Sequence, residues 1–211
     1  MSRSRQLLPI AAFALVLGSP VPVPAETITN EWSSIKVPPA PELKAVTVDP
    51  KTTALLMLDF VKPSCNEQRR PRCIATLPKA KALLAAARAK DMLVVYSFTS
   101  TSTMADTLSE VAPTDKEPAV QSGVDKFYKT NLEQILKDKN ITTVIVAGTA
   151  AHGAVMYTAS GAALRGMKVI VPVDGISAEN AYNEQYVIYN FTSASGISDK
   201  TTLTTVDMIK F

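Results

Sequence analysis

Histidine is almost missing from this chain, with one residue in 211. Catalytic zinc centres draw two or three imidazoles from the protein, so that class of site is excluded and no metal is expected. Cysteine is scarce as well: the two present leave a single pairing to consider. Glycine, at 8 residues, nowhere forms Gly-x-Gly-x-x-Gly or a Gly-Lys-Ser/Thr phosphate loop, so no cofactor is expected. Neither sign of charge dominates, with 22 Lys and Arg against 19 Asp and Glu. Beyond the short run Arg69-Arg70-Pro71-Arg72 there is no basic cluster, so nucleic acid is not expected as a partner. No internal repeat or low-complexity tract stands out.

What is present describes one enzyme-sized domain, long enough to bury a proper core. Residues 1–25 open with Arg3 and Arg5, continue through the apolar run 7–18, and end in Val21-Pro22-Val23-Pro24-Ala25. A basic start, a short apolar stretch and a small-residue end read as a secretory signal peptide, with cleavage expected after Ala25. The run falls short of the roughly 20 residues that a spanning helix needs, although an uncleaved anchor is the alternative. A periplasmic or secreted protein, free of the membrane after signal removal, is therefore expected. In such a compartment Cys65 and Cys73 are expected to pair and staple the polar loop between them, adding about 2–3 kcal/mol. Two idle thiols, or a nucleophilic Cys65, are the competing readings.

Residues 26–50 are Pro-rich and aperiodic, and read as an N-terminal arm ahead of a domain at 51–211. Six strands are expected, at 53–60, 93–99, 119–121, 142–148, 168–174 and 201–209. The first is a continuous apolar run closed by Asp59, the pattern of a strand buried on both faces. Pro172 suggests an edge or irregular position for the fifth. Helices are expected at 77–91, 130–139, 152–165 and 179–194, with Tyr182, Tyr186 and Tyr189 packing the last one and a partner-subunit contact as the lesser option. Strands alternating with helices imply an α/β fold: a doubly wound, Rossmann-like, mostly parallel six-stranded sheet with helices on both faces, a three-layer αβα arrangement. Ligands bind beyond the carboxyl ends of such strands, where strand order reverses. Asp59, Ser97, Gly148 and Asp174 fall at or near those ends.

Asp59 is the first candidate for chemistry. A carboxylate held at the binding edge in a partly desolvated place can act as a general acid or base; a capping or salt-bridging role is the plainer alternative. The second candidate is the turn Gly148-Thr149-Ala150-Ala151-His152-Gly153-Ala154-Val155, where a strand runs directly into a helix N-terminus able to cradle an anion or oxyanion. His152 in this turn has three readings: a polar pocket wall, a structural ring bonded to backbone, or a proton carrier.

With these two segments the chain resembles the isochorismatase-like hydrolases, the cysteine hydrolase superfamily. The matching stretches are Leu55-Leu56-Met57-Leu58-Asp59-Phe60, Phe127-Tyr128-Lys129-Thr130-Asn131-Leu132, the Gly148–Val155 turn and residues 166–174, in family order across roughly 51–210. The resemblance implies a hydrolase of small molecules, commonly assembled as a homo-oligomer, with an Asp, a Lys and a Cys nucleophile. The Asp falls on Asp59. The Cys position falls on Ala154, which has no lone pair to attack with, so an acyl-enzyme route there is excluded. The Lys position falls on Gln121; Lys126 is the nearby lysine that could replace it, with a plain surface charge as the alternative. The zinc-binding amidase branch carries Asp-x-His-x-x-His after the first strand, which this chain lacks. Ala151-His152-Gly153-Ala154 is similar to the turn of the isochorismatases proper, whose vinyl-ether hydrolysis uses an Asp and water and no thiol. The resemblance also implies a strained peptide, trans or cis, around Thr149-Ala150.

Together these readings predict an exported hydrolase that works without a thiol. Asp59 and Lys126 are its catalytic residues, and Gly148, Thr149, Ala150, His152, Gly153 and Ala154 bind the substrate. A pseudoenzyme that keeps the pocket is the alternative, and an envelope interaction module without a small-molecule site is a third.

Overall fold

The computed structural model describes residues 26–211, so the expected signal peptide lies outside the described residues. The chain divides into two compact units at Pro38–Pro39. Among its described residues the first contains one short helix, α1 (Ile28–Glu31). The second begins with β1 (Val46–Thr47), so the Pro-rich segment is less featureless than its composition predicts.

The second unit continues with β2 (Thr53–Leu58), α2 (Pro71–Arg88), β3 (Leu93–Phe98), β4 (Ala119–Gln121), α3 (Leu132–Asp138) and β5 (Thr143–Thr149). After β5 come α4 (Met156–Leu164), β6 (Lys168–Pro172), β7 (Ile176–Ser177), α5 (Ala181–Ser193), β8 (Thr201–Thr204) and β9 (Ile209–Lys210). Strands run in the order β4-β3-β2-β5-β6-β8, all paired in parallel, with β7 added beside β5. The α/β three-layer architecture is as predicted, but the sheet has seven strands where six were expected. The extra one is a two-residue pairing, Gly148↔Ile176 and Thr149↔Ser177, too short to leave a periodic signal. The expected last strand divides: β8 ends at Thr204, and β9 leaves the main sheet to pair with β1.

Alternation along the strands builds the two faces. Ala54, Leu56 and Leu58 of β2 pack with Val144 and Val146 of β5 against Leu132 and Leu136 of α3, Ala159 of α4 and Phe191 of α5. Leu55, Met57, Ile145 and Ala147 face the other way, onto Leu77, Ala80, Leu83 and Leu84 of α2. Each fully buried Leu contributes about 2 kcal/mol by area removed from water. Helix α2 starts six residues earlier than predicted because Pro71 sits at its first position, where a fixed φ and a missing N–H cost nothing.

Pro172 ends β6 inside the sheet, not at an edge. Strand β6 pairs with β5 only through residues 168–170, and from Gly148 onward β5 pairs with β7 instead, so no β5 ladder bond needs a proline N–H. The three α5 tyrosines are solvent-exposed rather than packed, since Val187 and Phe191 supply the buried face of that helix.

Candidate functional site

Strand order reverses between β2 and β5: the chain goes from β2 outward to β3 and β4, then returns to the other side of β2. Asp59 is the residue immediately after β2, and Gly148 and Thr149 close β5, so both sequence-derived segments meet at this switch point.

Asp59 leaves the sheet through a left-handed backbone, φ 54°, which Asp adopts more readily than most residues. Its N–H still donates to the Ser97 carbonyl at 3.2 Å, holding it to β3 one residue beyond the ladder. The carboxylate is 5% exposed. Its Oδ1 accepts from the Ser97 hydroxyl at 2.8 Å, and its Oδ2 lies 2.8 Å from Lys126 Nζ. Burial pushes the Asp59 carboxyl above its ordinary pKa; the Lys126 charge and hydrogen bond, the Ser97 hydroxyl and the Arg70 charge oppose this without cancelling it.

Lys126 is fully buried, which overturns the surface-charge reading. Its ammonium donates to the carbonyls of Gly123 (2.7 Å), Ser122 (3.2 Å) and Phe98 (3.3 Å) while facing Asp59. Gln121, the position that the resemblance gives to the family lysine, is exposed and donates to the Ser102 carbonyl at 2.7 Å. The loop after β4 therefore delivers its lysine five residues late. It is fixed to α4, because the Lys126 N–H donates to Thr158 Oγ1 at 3.2 Å.

The turn after β5 depends on Gly148. Its φ is +151°, and a Cβ there would stand 2.3 Å from the Leu58 carbonyl oxygen, so no side chain fits. The Thr149–Ala150 peptide is cis. Residues Ala151–Val155 form a π-type turn broken at Gly153 (φ −120°, ψ −107°), and α4 proper begins only at Met156, four residues after the expected start. Ala154, on which the resemblance places the nucleophile, is 3% exposed and carries only a methyl group. The two loops touch: a Cβ at Gly153 would lie 3.6 Å from Val124 Cγ1, two residues before Lys126.

His152 is half-buried. Its Nε2 stands 3.6 Å from Glu179 Oε2, while its buried Nδ1 has no hydrogen-bond partner. Glu179 in turn accepts from Arg70, whose Nη1 donates to the Ser64 carbonyl at 3.1 Å. Arg70 and Glu179 join this edge although sequence reasoning assigned them no role, whereas Ser97, the last residue but one of β3, was already expected near a strand end. Arg70 and Glu179 are 109 residues apart and leave no readable signal. Asp174, also noted at a strand end, serves structure: its Oδ1 accepts the Val206 N–H at 2.8 Å.

Cys65 and Cys73 are disulfide-bonded, Cα–Cα 5.4 Å, and both are buried. A nucleophilic Cys65 is therefore excluded in this form. Among the described residues no group of three or more His, Cys, Asp or Glu could hold a metal ion, and no helix is long and apolar enough to cross a membrane.

The isochorismatase domain family matches residues 53–200. No curated protein sequence matches the chain. Among solved structures, the chain is similar to a cysteine hydrolase from Pseudomonas syringae pv. phaseolicola, at 20% identity and TM-score 0.68, covering 80% of this chain and 95% of that one. An N-carbamoylsarcosine amidase from Thermoplasma acidophilum aligns at 23% identity and TM-score 0.64, over 74% and 97%. A nicotinamidase from Bacillus subtilis aligns at 15% and 0.64, over 72% and 99%. At these identities the likeness establishes the fold.

Proposed function

This chain belongs to the isochorismatase family, and on that premise we propose that it is an exported hydrolase of a small molecule, acting by Asp-assisted, thiol-independent hydrolysis. The observation that carries the reading is the buried Asp59–Lys126 pair, 2.8 Å apart, standing at the switch point beside an elbow with alanine where a thiol would sit.

In this mechanism Asp59 does the proton work. Burial lifts its pKa, so it holds a proton closer to neutrality than an ordinary carboxyl. For a vinyl ether it gives that proton to the double-bond carbon, water attacks the cation that results and sheds a proton back to Asp59, and the adduct then breaks its C–O bond, its hydroxyl proton passing to the leaving oxygen. The Lys126 ammonium compensates the carboxylate while it is ionised, and the Ser97 hydroxyl orients it. The turn from Gly148 to Ala154 holds the substrate. Export is supported by the character of residues 1–25 and by a disulfide of the kind that oxidising compartments maintain.

A second reading has its own observation. Ala154 replaces the nucleophile and Gln121 occupies the lysine register, which favours a pseudoenzyme that binds a small ligand without turning it over.

The test is to screen the purified mature protein, with its disulfide intact, against amides, ureides and vinyl ethers alongside Asp59→Asn. Turnover by wild type and a loss of about 10²–10⁴-fold in the variant is expected for a general acid–base group. Binding without turnover establishes the pseudoenzyme, and activity that survives unchanged in Asp59→Asn removes Asp59 from the mechanism.

A further inference from the structure

Arginine is an odd choice at the start of α2. Arg70 is the N-cap residue of that helix and makes no side-chain cap, although a short polar side chain there would satisfy an orphan N–H. The helix N-terminus carries a positive partial charge, so a cation there is unfavourable. The side chain is also buried, with Arg70 only 6% exposed, which compounds the cost. Residues that break local rules this way collect at functional sites.

Its surroundings give it a task. Of the five N–H donors of a guanidinium, Nε and Nη2 each give one to Glu179 Oε1 and Nη1 gives one to the Ser64 carbonyl. Two donors are left without a partner among the described residues. The charge of Arg70 is felt at the Asp59 carboxylate, and its Glu179 partner reaches His152 in the elbow, so Arg70 belongs to the same edge as both. Charge counting points the same way. When Asp59 carries its proton, Lys126 and Arg70 face the single negative charge of Glu179, an excess of one positive charge that a ligand carboxylate would balance.

Resting on the assignment of this edge as the ligand site, we propose that Arg70 is a ligand-binding residue that makes the site select small molecules bearing a carboxylate, gripped by the unused donors of its guanidinium fork. The disulfide is the positioning device. Cys65 and Cys73 flank Arg70, the Arg70 N–H donates to the Asn66 carbonyl at 2.8 Å, and its own carbonyl accepts the Cys73 N–H at 2.9 Å. The bridge thus fixes the backbone on both sides of a side chain that has to enter a costly position.

The experiment measures binding of matched pairs to the mature, oxidised protein by calorimetry: succinamate against succinamide, glutaramate against glutaramide, benzoate against benzamide. At least one carboxylate is expected to bind tenfold or more tightly than its neutral partner. The double variant Arg70→Gln/Glu179→Gln, which leaves no buried charge unpaired, is expected to erase that preference, and Arg70→Lys to retain part of it. Equal affinity within every pair, or a preference that survives in the folded double variant, overturns the proposal. The hydrolase reading fails separately. A carboxylate preference lost in the double variant without turnover by wild type keeps Arg70 and defeats hydrolysis; equal kcat/KM for neutral and carboxylate-bearing amides does the reverse.

Discussion

Two carboxylate–cation pairs sit at opposite edges of the same sheet and behave in opposite ways. Asp59 and Lys126 follow the carboxyl ends of β2 and β4; Arg88 and Glu117 precede the amino ends of β3 and β4. Glu117 receives Nε and Nη2 of Arg88 at 2.8 and 2.7 Å and the Thr114 N–H at 2.8 Å. Burial pulls the Glu117 carboxyl up, but the hydrogen bonds from Arg88 and Thr114 and the Arg88 charge win, and its pKa is lowered. Arg88 also braces the Ala112 carbonyl and lies in the last turn of α2, where the dipole welcomes a cation. This pair is a clamp. At the other edge burial wins, and Asp59 stays above its ordinary pKa despite touching an ammonium. The same chemistry, one carboxylate and one cation, holds a loop in one place and in the other leaves a carboxyl that gives up its proton less readily than usual.

Cutting the cation from each pair is the harshest way to separate them. Lys126→Met removes the counter-charge of a buried carboxylate and the donor to three backbone carbonyls. A loss of about 3–5 kcal/mol is expected in denaturant unfolding, together with loss of any turnover. If that variant is as stable as wild type, the Lys126 ammonium does not compensate the buried Asp59 carboxylate.

Arg88→Met is the matching cut at the other edge. Arg88 is a third exposed and its bonds replace contacts with water, so about 1 kcal/mol is expected, with kcat/KM unchanged. A large activity loss there would make the contrast between the edges false.

The two edges also differ in how far they could be read from sequence. Asp59 is visible because a carboxylate ending an unbroken apolar run has to be held at the end of a buried strand. The elbow is visible because Gly148 followed by small residues leaves room for a tight strand-to-helix turn. Lys126 is half visible: the lysine exists, but its five-residue displacement from Gln121 reflects a loop path that no periodicity encodes. Arg70 reads from sequence only as part of a polar loop stapled by cysteines, within the short basic run Arg69-Arg70-Pro71-Arg72. Its burial depends on Glu179, which stands just ahead of α5, 109 residues further along the chain. The sheet itself was legible down to its helices on both faces, and what escaped were two-residue pairings such as β7 and β1–β9, whose hydrogen bonds come from tertiary packing rather than from strand-forming sequence.

The smallest effect is the most discriminating, because the two carboxyls link stability to pH with opposite signs. Asp59 has a folded pKa above its ordinary 3.8, so the folded state binds its proton more tightly than the unfolded chain. That contribution is fully present below the unfolded value and is lost as pH rises through the folded one. Glu117 is the reverse: its folded pKa lies below the ordinary 4.5, so its contribution is present above that value and is lost as pH falls through the folded pKa. Asp59→Asn and Glu117→Gln each remove one titration. Measured as Tm differences from wild type between about pH 3 and pH 8, the Asp59→Asn gap should move in the variant's favour as pH rises, and the Glu117→Gln gap should move against the variant over the first part of that range and then level off. Parallel curves would mean that Asp59 is an ordinary structural partner of Lys126, with no proton held for chemistry.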